Sequence, residues 1–340
     1  MDVMKSATAR GFLALSAAAC MIAGAPALAI NFNQPGYTQN TVATIPGADP
    51  NSFGGVVMGP DGNLYVGGGF RTDAFRVTPA GAVTTLTLGA TANILGVGVV
   101  GNTLYVGQDN GRIDTFDISL PAPPATFLAT IAAVNGNGNA DFAVAPPGFG
   151  AFGGQLIASN GGVYVVNPAT GAKTDIALSG THYSSLGFGP NGVLYVADYD
   201  NARVITVTAA GTTSVFADLP GTSPDGIAVH PGTGDIYVAD SGGDQILRIT
   251  PAGVSSTFAT NLGFDGGYYP AGFAFSTSGD ILYYLTKENN LFQLAAIQGF
   301  AGVAPPAVAV AVPVFGAPGG LILTLLLAVA GVTGIRRVRS

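Results

Sequence analysis

Residues 186–263 contain one unit written twice: LGFGPNGVLYVADYDNARVITVTAAGTTSVFADLPGTSPD runs directly into GIAVHPGTGDIYVADSGGDQILRITPAGVSSTFATNLG. Tyr195 and Tyr237 stand 42 residues apart, and so do Gly211 and Gly253, so two different landmarks give one period. Each unit holds four short apolar runs divided by turns rich in Pro, Gly, Asn and Asp. The runs at Val193–Ala197 and Ile236–Ala239 are β-branched and aromatic, which suits strands. Helix is a poor alternative, because Gly and Pro fall every few residues. A period near 40 with four strands per unit is the pattern of a β-propeller blade.

The rest of the chain falls into the same register. Tyr65 precedes Tyr195 by 130 residues and Gly81 precedes Gly211 by the same number. A first unit therefore covers Gly55–Met58, Asn63–Val66, Ala74–Thr78 and Val83–Leu88. A second covers Leu95–Val99, Leu104–Val106, Arg112–Ile118 and Ala125–Ile131. A third, lengthened by the loop Pro146–Gly154, covers Phe142–Ala145, Leu156–Ala158, Val163–Val166 and Thr174–Leu178. The repeated pair supplies the fourth and fifth. The sixth has Phe273–Phe275, Ile281–Leu285 and Leu291–Leu294 but no outer strand. Thr41–Ile45 has the pattern of an outer strand and no blade before it. These facts predict an all-β, six-bladed propeller over 41–300, closed by an N-terminal strand paired with Leu291–Leu294, after a leader at 30–40. Closure removes the open edge that would otherwise template aggregation.

The two ends read as targeting segments. Lys5 and Arg10, the apolar run Gly11–Ala23 and the small-residue site Ala27-Leu28-Ala29 have the order of a secretory signal peptide, 1–29. Cleavage after Ala29 removes Cys20, the single cysteine, so no disulfide is expected. A lipidated Cys20 is the rival reading, but a lipobox wants a Leu-like residue where Ala17 stands. At the other end, an Ala/Val/Pro-rich linker and motif (301–318) precedes a continuous apolar run, 319–335, near the lower length for a spanning helix. Arg336, Arg337 and Arg339 follow within 336–340 and would stay cytoplasmic. With the terminal segments set aside, 7 basic residues face 18 acidic ones. An acidic surface disfavours nucleic acid and anionic membrane as partners and is compatible with cations or neutral glycans.

Two resemblances add expectations. The tail, with Val312-Pro313-Val314-Phe315-Gly316-Ala317-Pro318-Gly319 before the apolar run and Arg cluster, resembles the IPTL variety of bacterial sorting tails processed by exosortase-type enzymes. Val312, Pro313 and Gly319 stand at its motif positions, although the middle lacks that family's Ser-Glu-Trp and the PEP variety's Pro-Glu-Pro is absent. A plain membrane anchor is the alternative. The resemblance implies export across a bacterial inner membrane, a sorting protease as partner, membrane contact through the C-terminal helix, and a cell-surface or extracellular destination. In the body of the chain, Gly192–Asp198, Gly234–Gly242 and Ser223–Val229 resemble NHL-repeat and gluconolactonase-like six-bladed propellers over roughly 41–297.

Propeller sites lie at one end of the axis, where the loops leading into the inner strands converge. Asn51, Asp141, Ser184, Asp225, Tyr268 and Tyr269 stand at those positions and are the candidate ligand-binding set. The gluconolactonase resemblance implies a divalent metal on Asp225, in its Pro-Asp-Gly context, with Asn139 as a further oxygen ligand. Asp and Asn oxygens suit Ca²⁺. That family also needs a Glu from its first blade, and the one Glu here, Glu288, falls in a different turn. Tyr268-Tyr269 could stack on a sugar ring. Tyr65, Tyr105, Tyr195 and Tyr237 read as packing between blades, and Asp198, Asp200 and Asp240 as turn residues. His182 and His230 are lone. No catalytic residue is assigned. The function expected is a non-catalytic binding module for a protein, glycan or matrix component, with a metal-dependent lactonase or hydrolase as the alternative.

Overall fold

The computed structural model describes residues 30–49, 54–68, 71–119, 126–133, 141–159, 162–167, 170, 172–178, 182–264 and 272–302. The N-terminal strands are β1 (Asn31–Phe32) and β2 (Thr38–Thr44). Blade one holds β3 (Val56–Met58), β4 (Leu64–Val66), β5 (Ala74–Val77) and β6 (Val83–Leu86). Blade two holds β7 (Ile94–Val100), β8 (Thr103–Gln108), β9 (Arg112–Asp117) and β10 (Thr126–Ala133). Blade three holds β11 (Asp141–Val144), β12 (Leu156–Ser159), β13 (Gly162–Val166) and β14 (Lys173–Leu178). Blade four holds β15 (Tyr183–Phe188), β16 (Leu194–Asp198), β17 (Arg203–Val207) and β18 (Thr213–Asp218). Blade five holds β19 (Pro224–Val229), β20 (Ile236–Asp240), β21 (Gln245–Ile249) and β22 (Ser255–Thr260). Blade six holds β23 (Phe273–Phe275), β24 (Ile281–Glu288) and β25 (Leu291–Gln298). Among the described residues these make six antiparallel sheets, in each of which the strands of one blade are neighbours in chain order. The result is a six-bladed all-β propeller.

The sixth sheet runs β2-β25-β24-β23, so the N-terminal strand is its outer strand. The ladder extends from Thr38 opposite Gln298 to Thr44 opposite Gln293, with a bulge between Thr41 and Ala43. It starts earlier than the expected Thr41. The segment 30–40 is also more than a leader: β1 adds a fifth strand to blade five, with Asn31 opposite Thr260 and Phe32 opposite Ala259. The loop Pro146–Gly154 contains a short 3₁₀ turn, Gly150–Phe152, and its Phe149 is buried edge-on against Phe188.

The core lies between blades. Tyr65 clusters with Val97 and Leu104 of blade two, Tyr105 with Phe142 and Leu156 of blade three, Tyr195 with Ile227 and Val238 of blade five, and Tyr237 with Phe273 and Leu282 of blade six. Tyr283 takes the same place in blade six and clusters with Val56 and Leu64 of blade one. The inner-strand residue paired with each ring is Val57, Gly98, Gly187, Ala228 or Ala274. Inner strands crowd around the axis, so a large ring on the second strand is matched by a small partner on the first.

The repeated glycines have a related cause. Gly81, Gly211 and Gly253 all have left-handed backbones, which favours Gly. A Cβ on Gly211 would lie 2.1 Å from the carbonyl oxygen of Ile176, and on Gly253 2.8 Å from that of Phe216. Each oxygen belongs to the outer strand of the preceding blade. On Gly81 the oxygen is that of Val42, 2.3 Å away, in β2. The N-terminal strand thus presents to blade one the surface that any other outer strand presents to its neighbour. Gly211→Val is expected to destabilise the protein by about 2–4 kcal/mol in denaturant melts, combining backbone strain and overlap. A change under about 0.5 kcal/mol would mean that the blades do not meet there.

Candidate functional site at the axis

The inner strands of blades three, four and five bring Asp141, Ser184 and Asp225 onto one arc of the axis. Asp141 begins β11. Its Oδ1 accepts the Phe142 N–H at 2.9 Å, and its Oδ2 accepts the Ser185 hydroxyl and, at 3.4 Å, the Leu186 N–H. Ser185 Oγ in turn accepts the Ile227 N–H at 3.0 Å. One polar chain therefore joins three inner strands that share no ladder. Ser184 is buried and donates to the Pro224 carbonyl at 2.8 Å, a second tie between blades four and five. The sequence marks Ser184 but not Ser185. The Ser-Ser pair was the available signal, and a bulge between Tyr183 and Ser185 decides which hydroxyl faces blade three.

Asp225 is 2% exposed in the leading part of β19, and its Oδ1 has no hydrogen-bond partner among the described residues. Burial pushes its carboxyl up to about 7; the Ser241 hydroxyl opposes that shift and the negative charge of Asp240 adds to it. Burial also raises Asp141 to about 6, against the bonds from Ser185, Phe142 and Leu186. Two acids with raised proton affinities therefore stand near the axis, the kind of perturbation that clusters at functional sites.

The metal expectation can be tested on these groups. Ca²⁺ takes six to eight oxygens. Asp225 offers one open buried oxygen. Among the described residues, no three His, Cys, Asp or Glu side chains gather as a possible metal set. Glu288 lies at the tip of the β24–β25 hairpin, opposite Leu291. Of the expected metal ligands, Asp225 is the one that the described residues contain. Asn51, Asn139, Tyr268 and Tyr269 lie outside the described residues, as do Val312, Pro313, Gly319, Arg336, Arg337 and Arg339. Among the described residues no helix is long and apolar enough to cross a membrane.

The turn acids have local work. Asp198 is fully buried, accepts both bonds from Asn201 Nδ2 at 2.9 and 3.0 Å, and pairs with Arg203 Nε at 2.8 Å. Asp240 accepts the Ser223 N–H at 2.7 Å and Gln245 Nε2 at 2.7 Å, so it fastens the loop that leads to Asp225. Gln108 does the same in blade two, its Oε1 accepting the N–H groups of Thr91 and Ala92. His230 is buried, with Nδ1 accepting the N–H groups of Gly232 and Thr233 at 3.1 and 3.0 Å. It stacks edge-on with Phe275, and burial lowers its pKa, so it is a neutral turn-forming residue. Beneath the Asp141 level the axis opens into a cavity of about 340 Å³, lined by inner strands of every blade but the second.

No protein-family model and no curated protein matches the sequence. Solved structures do. A gluconolactonase from Xanthomonas campestris is 16% identical with a TM-score of 0.57, over 77% of this chain and 89% of that one. Virginiamycin B lyase from Staphylococcus aureus is 13% identical with a TM-score of 0.54, over 72% and 79%. The calcium-binding protein regucalcin from Agrobacterium tumefaciens is 16% identical with a TM-score of 0.56, over 78% and 98%. The chain shares their six-bladed fold. At these identities the likeness is one of architecture, and function rests on the site.

Proposed function

We propose that the chain is an exported bacterial propeller, NHL-like in its repeats, that acts as a non-catalytic binding module for a protein, glycan or extracellular matrix component. One observation carries this reading: the polar groups along the axis are engaged in bonds from blade to blade. Asp141 and Ser185 tie blades three, four and five, and Ser184 ties four to five. A catalytic acid or ligand set at the mouth needs groups free to meet a substrate; Asp141 Oδ2 and the Ser184 and Ser185 hydroxyls serve there as scaffold, which leaves recognition at the mouth to the loops around them. The terminal segments support display: a signal peptide at 1–29 for export, and a tail at 301–340 that anchors the protein or passes it to a sorting protease of exosortase type. Deleting 303–340 is expected to move the protein from the membrane fraction to the medium, and retention in the membrane would remove the anchor from this proposal.

A second reading is favoured by a different observation. The open Oδ1 of Asp225, in Pro224-Asp225-Gly226, is where a metal-dependent lactonase or hydrolase of gluconolactonase type would place a ligand. Metal analysis and lactone turnover on the purified protein separate the two. Binding of surface polysaccharide or envelope protein that survives Asp225→Ala and chelator supports the module. Stoichiometric Ca²⁺ or Zn²⁺, with turnover lost in Asp225→Ala, supports the hydrolase and overturns the module.

A further inference from the structure

We propose that the axial cavity is a binding site for a small organic amine, with an apolar body in the channel and a protonated ammonium head on Asp141. The site differs from the mouth of the propeller, and the inference stands if the mouth-side reading fails. Asp141, the first residue of β11, borders one end of the lining, and the rest extends to the trailing ends of the inner strands: Met58 closes β3, Val229 closes β19, and Ser276 follows β23. The cavity therefore lies toward the face opposite Asp225. Its volume, about 340 Å³, falls at the lower end of the range for small-ligand pockets.

Its chemistry selects the ligand. Among the described lining residues Asp141 is the single titratable side chain, and no Lys, Arg or His accompanies it. Asp141 is enclosed by protein yet keeps part of its surface accessible, and the cavity is what it borders. Its Oδ1 accepts one bond, from Phe142, and a carboxylate oxygen can accept two. An acid in an apolar channel with spare acceptor capacity is complementary to a cation and repels an anion. Phe142, Phe273 and Phe275 share the lining while their rings pack into the clusters between blades, Phe273 on Tyr284 and Phe275 on His230, so they give the channel an apolar wall. Burial already raises the Asp141 carboxyl to about 6, so it is ionised at pH 7.5 and an ammonium partner would hold it so.

Gly187 provides an unusually clean control. It lines the cavity, its backbone is not left-handed, and a Cβ there would meet only Val229 Cγ2, at 3.6 Å. A Cβ there has room and a longer side chain would enter the cavity; because Gly187 is also the small partner of Tyr195, the Gly187→Leu protein is first shown by its thermal melt to be folded. Binding of 2-phenylethylamine, 2-phenylethanol and 3-phenylpropanoate to the full-length protein at pH 7.5 can be followed by saturation-transfer NMR and calorimetry. The amine is expected to bind at least tenfold more tightly than the alcohol, and the carboxylate more weakly than both. Gly187→Leu should weaken the amine at least tenfold, while Asp141→Asn should erase the preference of amine over alcohol. If Asp141→Asn does not fold, the alcohol comparison and Gly187→Leu decide. Equal binding of the three probes, no binding of the amine, or amine binding unchanged in Gly187→Leu would overturn the proposal.

Discussion

Deleting residues 30–46 should abolish the cooperative thermal melt of the propeller or lower its midpoint by more than about 10 °C. The deletion removes β2, whose six register pairs with β25 close blade six. About half a dozen ladder hydrogen bonds go with it, each contributing roughly 0.5–1.5 kcal/mol net. It also removes Ile45, 2% exposed and packed in the cluster between blades six and one, where truncation alone costs about 2–5 kcal/mol. Blade five loses β1, and Phe258 loses its contacts with Phe32 at 5.7 Å and Tyr37 at 4.8 Å. Tyr37 also meets Phe300 at 5.0 Å, so the segment fastens both ends of the domain to one aromatic cluster. Against a typical stability of about 5–15 kcal/mol, the sum is comparable with the whole. Ile45→Ala isolates one part and should cost about 2–4 kcal/mol in urea. A deletion variant that melts like the full chain would show that the ring holds without its N-terminal strand.

The second large effect concerns pH. Asp225→Asn is expected to stabilise the protein by about 2–4 kcal/mol at pH 8 and to have little effect at pH 4. The carboxyl is raised from 3.8 to about 7, chiefly by burial. Below about pH 4 it is protonated in both folded and unfolded chains, and the site carries no penalty. Between pH 4 and 7 the unfolded chain releases the proton while the folded chain keeps it, so stability falls as pH rises and levels above the folded value. Asn keeps the shape and stays neutral throughout, so the variant should lack this slope. His230 acts in the opposite sense: its lowered pKa means stability is present above about 6.5 and is lost as pH falls, because protonation ends its acceptance of two backbone N–H groups. Urea melts from pH 4 to 9 on both proteins separate the two. Parallel curves for wild type and Asp225→Asn would show that Asp225 does not titrate in this range.

Much of this could be read before any coordinates. The strands of all six blades lie within a few residues of their expected places, because a period repeated through Tyr195, Tyr237, Gly211 and Gly253 is local information multiplied by copies. The closing strand was legible as well: Thr41–Ile45 has an outer-strand pattern and no blade before it, and blade six has a vacancy. The candidate site was legible only in part. Asp141, Ser184 and Asp225 were marked as lying on the axis, but their roles depend on neighbours 40 or more residues away, such as Ser185 on Asp141 and Pro224 under Ser184.

What the sequence determined, then, is the set of features that repeat: blade number, strand order, the Tyr that packs between blades and the Gly that turns beside the next one. Tertiary structure decided what does not repeat. A bulge in β15 turns Ser185 toward Asp141. A two-residue strand, Asn31–Phe32, joins blade five because its edge lies beside the incoming chain. The axial cavity lies where the inner strands of five blades converge around the axis. None of these has a local signature, since each is set by the distance between groups that only closure of the ring brings together.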